Sequence, residues 1–280
     1  ITDYGRRLQN ESGFPYILGG VDRGIHAIGN VVAWSERQRA ALAAAADEAD
    51  VTPIVVEDAT GMWTEHRAAQ FLADNGVAVV PSRLANTAEE AIAAAEEYGY
   101  PVVVKAVADG LGHKSDIGGV RLNLNNADDV RNAHDQIVEA LTALGSTGIQ
   151  TLVQPQRSAD GVELIVGIVR DPSWGLTLAV GLGGIWVEIM KDASLRVLPT
   201  NADEIKKSIM SLRAYPLLQG ARGTKPVDID ALASEVAKIA DVAYRLGDRL
   251  EALEINPLRA AADGNEALDA LITWADTPSN

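Results

Sequence analysis

The chain has 280 residues, 47% hydrophobic and 22% charged, with 39 acidic against 24 basic side chains and a formal net charge of −15. That balance argues against a nonspecific grip on nucleic acid, which needs a basic footprint, and no apolar run approaches the roughly 18 residues of a membrane-spanning helix. The sequence has no cysteine, which excludes disulfides, thiol catalysis and thiolate metal sites and is compatible with a reducing cytoplasm. The chain opens at Ile1 on a polar segment without a secretory signal, as a processed chain or a piece of a longer one would.

Residues 1–62 read as a mostly helical leader followed by a linker. A Gly-Phe-Pro-Tyr entry and the Gly19-Gly20 pair precede a helix over 21–46, whose alanine-rich end favours helix but supplies little apolar bulk. Regular patterning starts at Thr64. A helix carrying Ala68, Phe71 and Leu72 runs to the Asn75-Gly76 stop, and residues 77–80 predict a short strand ended by Pro81. Thr87, with Glu90 three residues on, opens a helix that Gly99 closes. A strand, a loop and a second strand follow over 100–122.

Asn126 with Asp128 and Asp129 starts the next helix, which ends before Gly145. Strands then crowd together at 151–154, 163–170, 176–181, 186–190 and 194–198, parted by Gly and Asp-Pro turns. Helices are predicted over 203–212 and 228–247. A strand over 249–255 is ended by Asn256-Pro257, and 267–272 forms the last strand. Successive strands without intervening helices favour an α+β fold with antiparallel sheets over a doubly wound parallel sheet.

Two stretches carry chemistry. In the first, Val102, Val103 and Val104 deliver Lys105 to a strand end, and a loop then presents His113, Lys114, Ser115 and Asp116 before Gly118-Gly119. Adjacent glycines let backbone N–H groups approach an anion, and lysines supply point charges, so the pattern suggests phosphate handling. Lysines at strand ends and glycines in turns also occur without any ligand. In the second stretch, Glu254 and Asn256 lie two apart on a strand and therefore on one face. A turn at Asp263-Gly264 brings Asp269 back beside them. All three are oxygen donors of the kind Mg²⁺ prefers alongside nucleotide phosphates; the same spacing equally fits a hairpin with its polar face in water. The Gly181–Ile185 stretch fits either a phosphate-approach loop or a turn between strands, and Arg170 and Arg196 are further candidates for the nucleotide. His26, His66 and His134 lack such a context and read as structural.

Taken in order, Lys105, the HKSDIGGV loop, QPQ followed by VELIVG, GLGGI and the terminal EINPL…LDA resemble the ATP-grasp domain of the ADP-forming acyl-CoA synthetases, the acetate–CoA ligase relatives of the succinyl-CoA synthetase β subunit. The resemblance implies an ATP-grasp fold over residues 63–275, two α+β subdomains clasping the nucleotide, the smaller about 77–150. It implies that residues 1–62 are the tail of a preceding CoA-ligase-like domain plus linker. The implied reaction is acyl-CoA + ADP + phosphate ⇌ carboxylate + CoA + ATP through phosphohistidine, with ATP or ADP as substrate and CoA as co-substrate in a partner domain.

The resemblance also assigns residues. His113 would carry the phosphoryl group, while Lys105, Lys114, Gly118, Gly119, Gln154, Pro155, Gln156 and Glu163 would bind nucleotide. Glu254, Asn256 and Asp269 would hold Mg²⁺. The expected partners are CoA-binding and CoA-ligase domains, in the same longer chain or in a separate subunit, within an oligomeric enzyme in the cytoplasm; no nucleic-acid or membrane partner is expected. A carboxylate–amine ligase working through an acyl phosphate, and a nucleotide-binding assembly module without its own chemistry, are the alternatives.

Overall fold

The computed structural model describes residues 2–12, 20–45, 52–108, 118–183, 192–221 and 225–275, and it divides into two units, 1–52 and 53–280. The first unit contains α1 (Asp3–Ser12) and α2 (Val21–Ala45). α1 buries no residue, and Val21, Ile25, Ile28 and Val32 of α2 form an exposed stripe at helical spacing. Among the described residues no helix is long and apolar enough to cross a membrane.

The second unit holds α3 (Glu65–Asp74) and two antiparallel sheets. The smaller sheet has the order β1-β4-β2-β3, from β1 (Arg83–Ala85), β2 (Val102–Val107), β3 (Val120–Leu124) and β4 (Gln150–Pro155). Two helices cover one of its faces, α4 (Ala88–Tyr98) and α5 (Ala127–Ala143). Both start where the sequence indicates: the Thr87 side chain accepts from the Glu90 N–H and Asn126 from the Asp129 N–H, satisfying helix-end donors. α4 buries only alanines (Ala88, Ala91, Ala94 and Ala95), while α5 supplies the bulk with Val130, Ile137 and Leu141. These pack on Val102, Val104, Ala106 and Val153 of the sheet. Because strand residues alternate between faces, Val103 and Lys105 of β2 turn the other way.

The larger sheet has the order β10-β8-β5-β6-β7 with β9 paired to β8. Its strands are β5 (Val162–Asp171), β6 (Gly175–Leu182), β7 (Ala193–Val197), β8 (Leu250–Ala261), β9 (Gly264–Ala267) and β10 (Ala270–Trp274). One face meets α6 (Ala202–Met210), the single turn α7 (Tyr215–Leu218) and α8 (Ile229–Leu246). Leu164, Val166 and Ile168 alternate into this core opposite Val236, Ile239 and Ala243. Each fully buried aliphatic side chain contributes about 1.5–3 kcal/mol. α3 belongs to the same core through Ala68 and Leu72, beside the Trp63–Trp274 edge contact at 4.9 Å.

The α+β class and antiparallel sheets agree with the sequence, but three local readings do not. Residues 77–80 are no strand: they make one parallel bridge, Val79 to Ala267, with the Val80 N–H on the Ala267 carbonyl. The short β1 went unnoticed because three residues are too few to show alternation. Pro257 does not end its strand. β8 pairs with β10 as far as Ile255 and with β9 from Leu258, and its register on β5 shifts between Leu164 and Val166. The proline sits at this change of partner, where no ladder N–H is required. For the same reason the predicted 267–272 strand is two strands, interrupted at Leu268-Asp269. The strand expected over 186–190 lies outside the described residues.

Candidate functional site

A cavity of about 900 Å³ lies between the two sheets. Val103 and Lys105 of β2, with Val120 and Leu122 of β3, form one wall. Glu163 of β5, Leu182 of β6, and Asn256 and Arg259 of β8 form the other. The connection from β4 to β5, Gln154 to Ala159, runs along it, and Leu268-Asp269 complete it.

Lys105 is buried, and its Nζ donates to Glu65 Oε1 at 2.6 Å and to the Leu268 carbonyl at 2.9 Å. Asp269 Oδ2 is 3.8 Å away. Gln154 Nε2 donates to the same Glu65 oxygen at 3.3 Å. Glu65 stands in the first turn of α3, where the helix dipole favours a carboxylate by roughly 0.3–1 kcal/mol, more when partly buried. A buried ammonium and a buried carboxylate are thus held together, as burial of either charge requires.

Asn256 and Asp269 face the cavity because of the strand irregularity described above. The Asn256 N–H donates to the Asp269 carbonyl at 3.3 Å and the Leu268 N–H to the Pro257 carbonyl at 2.9 Å, so the two residues are fixed across one short gap. Glu254 is not among the residues lining the cavity; it accepts from Asn256 Nδ2 at 3.1 Å and so fixes that amide. Among the described residues no group of three or more His, Cys, Asp and Glu is placed to cage a metal. Two oxygen donors beside a space for phosphates nevertheless suit Mg²⁺, which keeps few protein ligands.

Gln154, Pro155, Gln156 and Glu163 all line the cavity. Gln156 is braced by Nε2 on Asn123 Oδ1 at 2.8 Å, and its N–H is on the Pro101 carbonyl. Gly118 and Gly119 immediately precede β3 and are not among the lining residues. Gly118 has φ +64°, a conformation that favours glycine, and the Gly119 carbonyl accepts from the Ala106 N–H at 2.6 Å. His113 and Lys114 lie outside the described residues. In the GLGGI stretch, a Cβ on Gly181 would stand 2.8 Å from the Asp192 carbonyl and one on Gly183 2.9 Å from the Glu163 carbonyl. Close strand approach explains both glycines, although Gly183 also lines the cavity. Arg170 is bound to the Gly247 and Leu250 carbonyls, and Arg196 contacts Ser194 and Glu204; neither lines the cavity.

Sequence reasoning missed Glu65, Arg157 and Arg259. Arg157 forms a two-pronged pair with Glu266 at 2.6 and 3.0 Å. Arg259 is held by Asp263 at 3.0 and 3.3 Å and by the Ser158 carbonyl at 3.2 Å. The hydrogen bond from Arg259 holds the Asp263 carboxyl below the usual carboxylate range. Glu65 gave no usable signal, because an acidic residue after an N-terminal threonine is what any helix start shows.

The family model for the ATP-grasp domain matches residues 54–273. The chain belongs to the ATP-grasp family. Within it, the chain is similar to the β subunit of acetate–CoA ligase [ADP-forming] I from Pyrococcus furiosus, 39% identical over 207 residues, which are 74% of this chain and 89% of that subunit. It is also similar to a trans-feruloyl-CoA synthase of an unknown prokaryotic organism, 38% identical over 79% of this chain but only 32% of that protein. A solved structure of the Ca. Korarchaeum cryptofilum dinucleotide forming acetyl-coenzyme A synthetase 1 superposes with a TM-score of 0.66 at 36% identity, over 77% of this chain and 93% of that one. That structure contains coenzyme A and Mg-AMPPCP, with its phosphohistidine segment pointing towards the nucleotide-binding site. The ATP-grasp chain described here therefore sits among ADP-forming acid–CoA ligases, as its motifs indicate. It spans most of a separate β subunit and under a third of a single-chain enzyme.

Proposed function

We propose that this chain is the nucleotide half of an ADP-forming acid–CoA ligase, interconverting acyl-CoA + ADP + phosphate with carboxylate + CoA + ATP. The observation that carries this reading is the convergence of Lys105, Asn256 and Asp269 on one cavity, from two different sheets. An ammonium facing two oxygen donors across that space suits a polyphosphate with a divalent cation. Lys105 contacts the phosphates, residues 154–156 hold the base, and Glu163 lies near the ribose and phosphates. Asn256 and Asp269 hold Mg²⁺, with Glu254 orienting the Asn256 amide. When bound, the cation neutralises phosphate charge.

Within this reading His113 accepts the γ-phosphoryl group. The bond from an imidazole nitrogen to phosphorus forms as the bond to the ADP oxygen breaks, and the ring proton is released. The phosphoryl group then passes, by way of a second histidine in the CoA-ligase part, to the carboxylate, giving an acyl phosphate from which CoA displaces phosphate. Lys114 and the Gly118-Gly119 backbone cover the phosphates. Residues 1–62 are the tail of a CoA-ligase-like domain and its linker, and the CoA-binding part belongs to a partner domain or subunit.

The test is incubation with Mg²⁺ and γ-labelled ATP, with and without the CoA-binding partner. Acid-labile, base-stable label on the chain, lost in His113→Ala, is the expected result. Absence of label in both preparations overturns the phosphohistidine route.

A further inference from the structure

Lys105 is the cation on which the nucleotide reading depends, yet among the described residues nothing in its own lobe holds its ammonium. Its partners among the described residues, Glu65 Oε1, the Leu268 carbonyl and Asp269 Oδ2, all come from the larger-sheet lobe. Glu65 is carried by α3, whose Ala68 and Leu72 are packed into the large core. Leu268 and Asp269 lie between β9 and β10. The lysine itself comes from β2 in the centre of the smaller sheet. A long flexible side chain thus crosses from one lobe to the other and is fixed there.

We propose that Glu65 is a positioning residue for nucleotide binding: its buried carboxylate aims the Lys105 ammonium at the cavity, in register with Asn256 and Asp269. This rests on the reading of Lys105 as the phosphate contact. Three facts support it. The Glu65 side chain is 1% exposed, so its charge acts on Lys105 with little screening by water. The ammonium has three N–H donors, and Glu65 with the Leu268 carbonyl takes two of them. Among the described residues the third has no acceptor and is left for one in the cavity whose wall Lys105 forms. Gln154, itself a lining residue, donates to the same Glu65 oxygen and prevents the carboxylate from turning away.

A carboxylate that only tied the lobes together would serve any ligand equally. One that positions Lys105 serves phosphates alone, and its effect disappears when the lysine is gone. The experiment is a double-mutant cycle on the folded chain, titrated calorimetrically with MgADP and with adenosine. Lys105→Met is expected to weaken MgADP about 100-fold and Glu65→Gln about tenfold, as loss of a charge-assisted contact and of its support would. In the Lys105→Met background Glu65→Gln should change nothing further, and adenosine should bind all forms alike.

An unchanged MgADP affinity in Glu65→Gln, with Lys105→Met weakened, overturns this proposal and leaves the phosphate contact standing. The proposal also falls with an undiminished Glu65→Gln effect in the Lys105→Met background, or with an equal loss of adenosine. An unchanged affinity in Lys105→Met overturns the underlying reading instead. Should Glu65→Gln not fold, Glu65→Asp, which keeps the charge but withdraws it by one methylene, takes its place with the same expected pattern.

Discussion

The two walls of the cavity carry positive charge in opposite ways. On the large-sheet side, Arg259 meets both Asp263 oxygens and the Ser158 carbonyl, and Arg157 grips Glu266 with two parallel bonds. These guanidinium groups are already engaged by carboxylates on neighbouring strands and turns, so they act as struts between the β4–β5 connection and the β8–β9 hairpin. On the small-sheet side, Lys105 has, among the described residues, one buried carboxylate, one carbonyl and a donor to spare. What separates a structural cation from one that meets a ligand is how much of its hydrogen-bonding capacity the protein has already used. Burial does not separate them, since Lys105 and Arg259 are both buried.

The largest expected effect tests that contrast directly. Lys105→Met should cost MgADP about 100-fold in affinity, whereas Arg259→Met should change it by less than about threefold. Arg259→Met should instead lower the unfolding free energy by about 1–3 kcal/mol, because the Ser158 carbonyl loses its donor and Asp263 its partner. Calorimetric titration beside thermal melting separates the two quantities. Equal losses of affinity would erase the distinction between strut and ligand contact.

The next effect sharpens the same comparison on the acidic side. Asp269 lines the cavity and Glu254 does not. Asp269→Asn should abolish most of the gain in ADP affinity that Mg²⁺ provides, about tenfold, by replacing the anionic member of the Asn256–Asp269 donor pair with a neutral amide. Glu254→Gln keeps an acceptor for Asn256 Nδ2 and should lose only about twofold. Titrations with ADP at several Mg²⁺ concentrations distinguish them, and a larger loss in Glu254→Gln would place the metal on the wrong carboxylate.

These contrasts also explain what could be read from the residues alone. Helix starts were legible because Thr87 and Asn126 carry their capping chemistry within three residues. The Asn256–Asp269 pairing was legible because a hairpin turn at Asp263-Gly264 fixes which residues return beside which. The break of that strand at Pro257 was misread, since a change of partner strand depends on β9 and β10 together and leaves no local mark. Glu65 was invisible for a related reason. It is 40 positions from Lys105, and only the packing of α3 on the large core turns a generic helix-start acid into the lysine's counter-ion. Local chemistry was readable, and contacts made by one lobe upon the other were not.

The smallest effect concerns a polar group that is buried and hydrogen-bonded to a neutral partner. His134 of α5 is buried, and its Nδ1 meets Thr151 Oγ1 of β4 at 2.9 Å. Burial pushes its pKa below the ordinary histidine value, with Asp135 and Glu89 opposing only in part. A histidine whose folded pKa is depressed is protonated more readily in the unfolded chain. Its contribution is therefore fully present above the unfolded value of about 6.5 and is lost as pH falls from there towards the folded value. Unfolding free energy measured by denaturant should accordingly drop as pH falls below about 6.5. His134→Gln keeps a hydrogen-bonding partner for Thr151 but cannot titrate, so it should flatten that part of the profile while leaving MgADP affinity unchanged. An unaltered slope in the variant would mean that His134 is as easily protonated in the folded lobe as outside it, and that the smaller sheet closes around its polar groups less tightly than the Thr151 contact indicates.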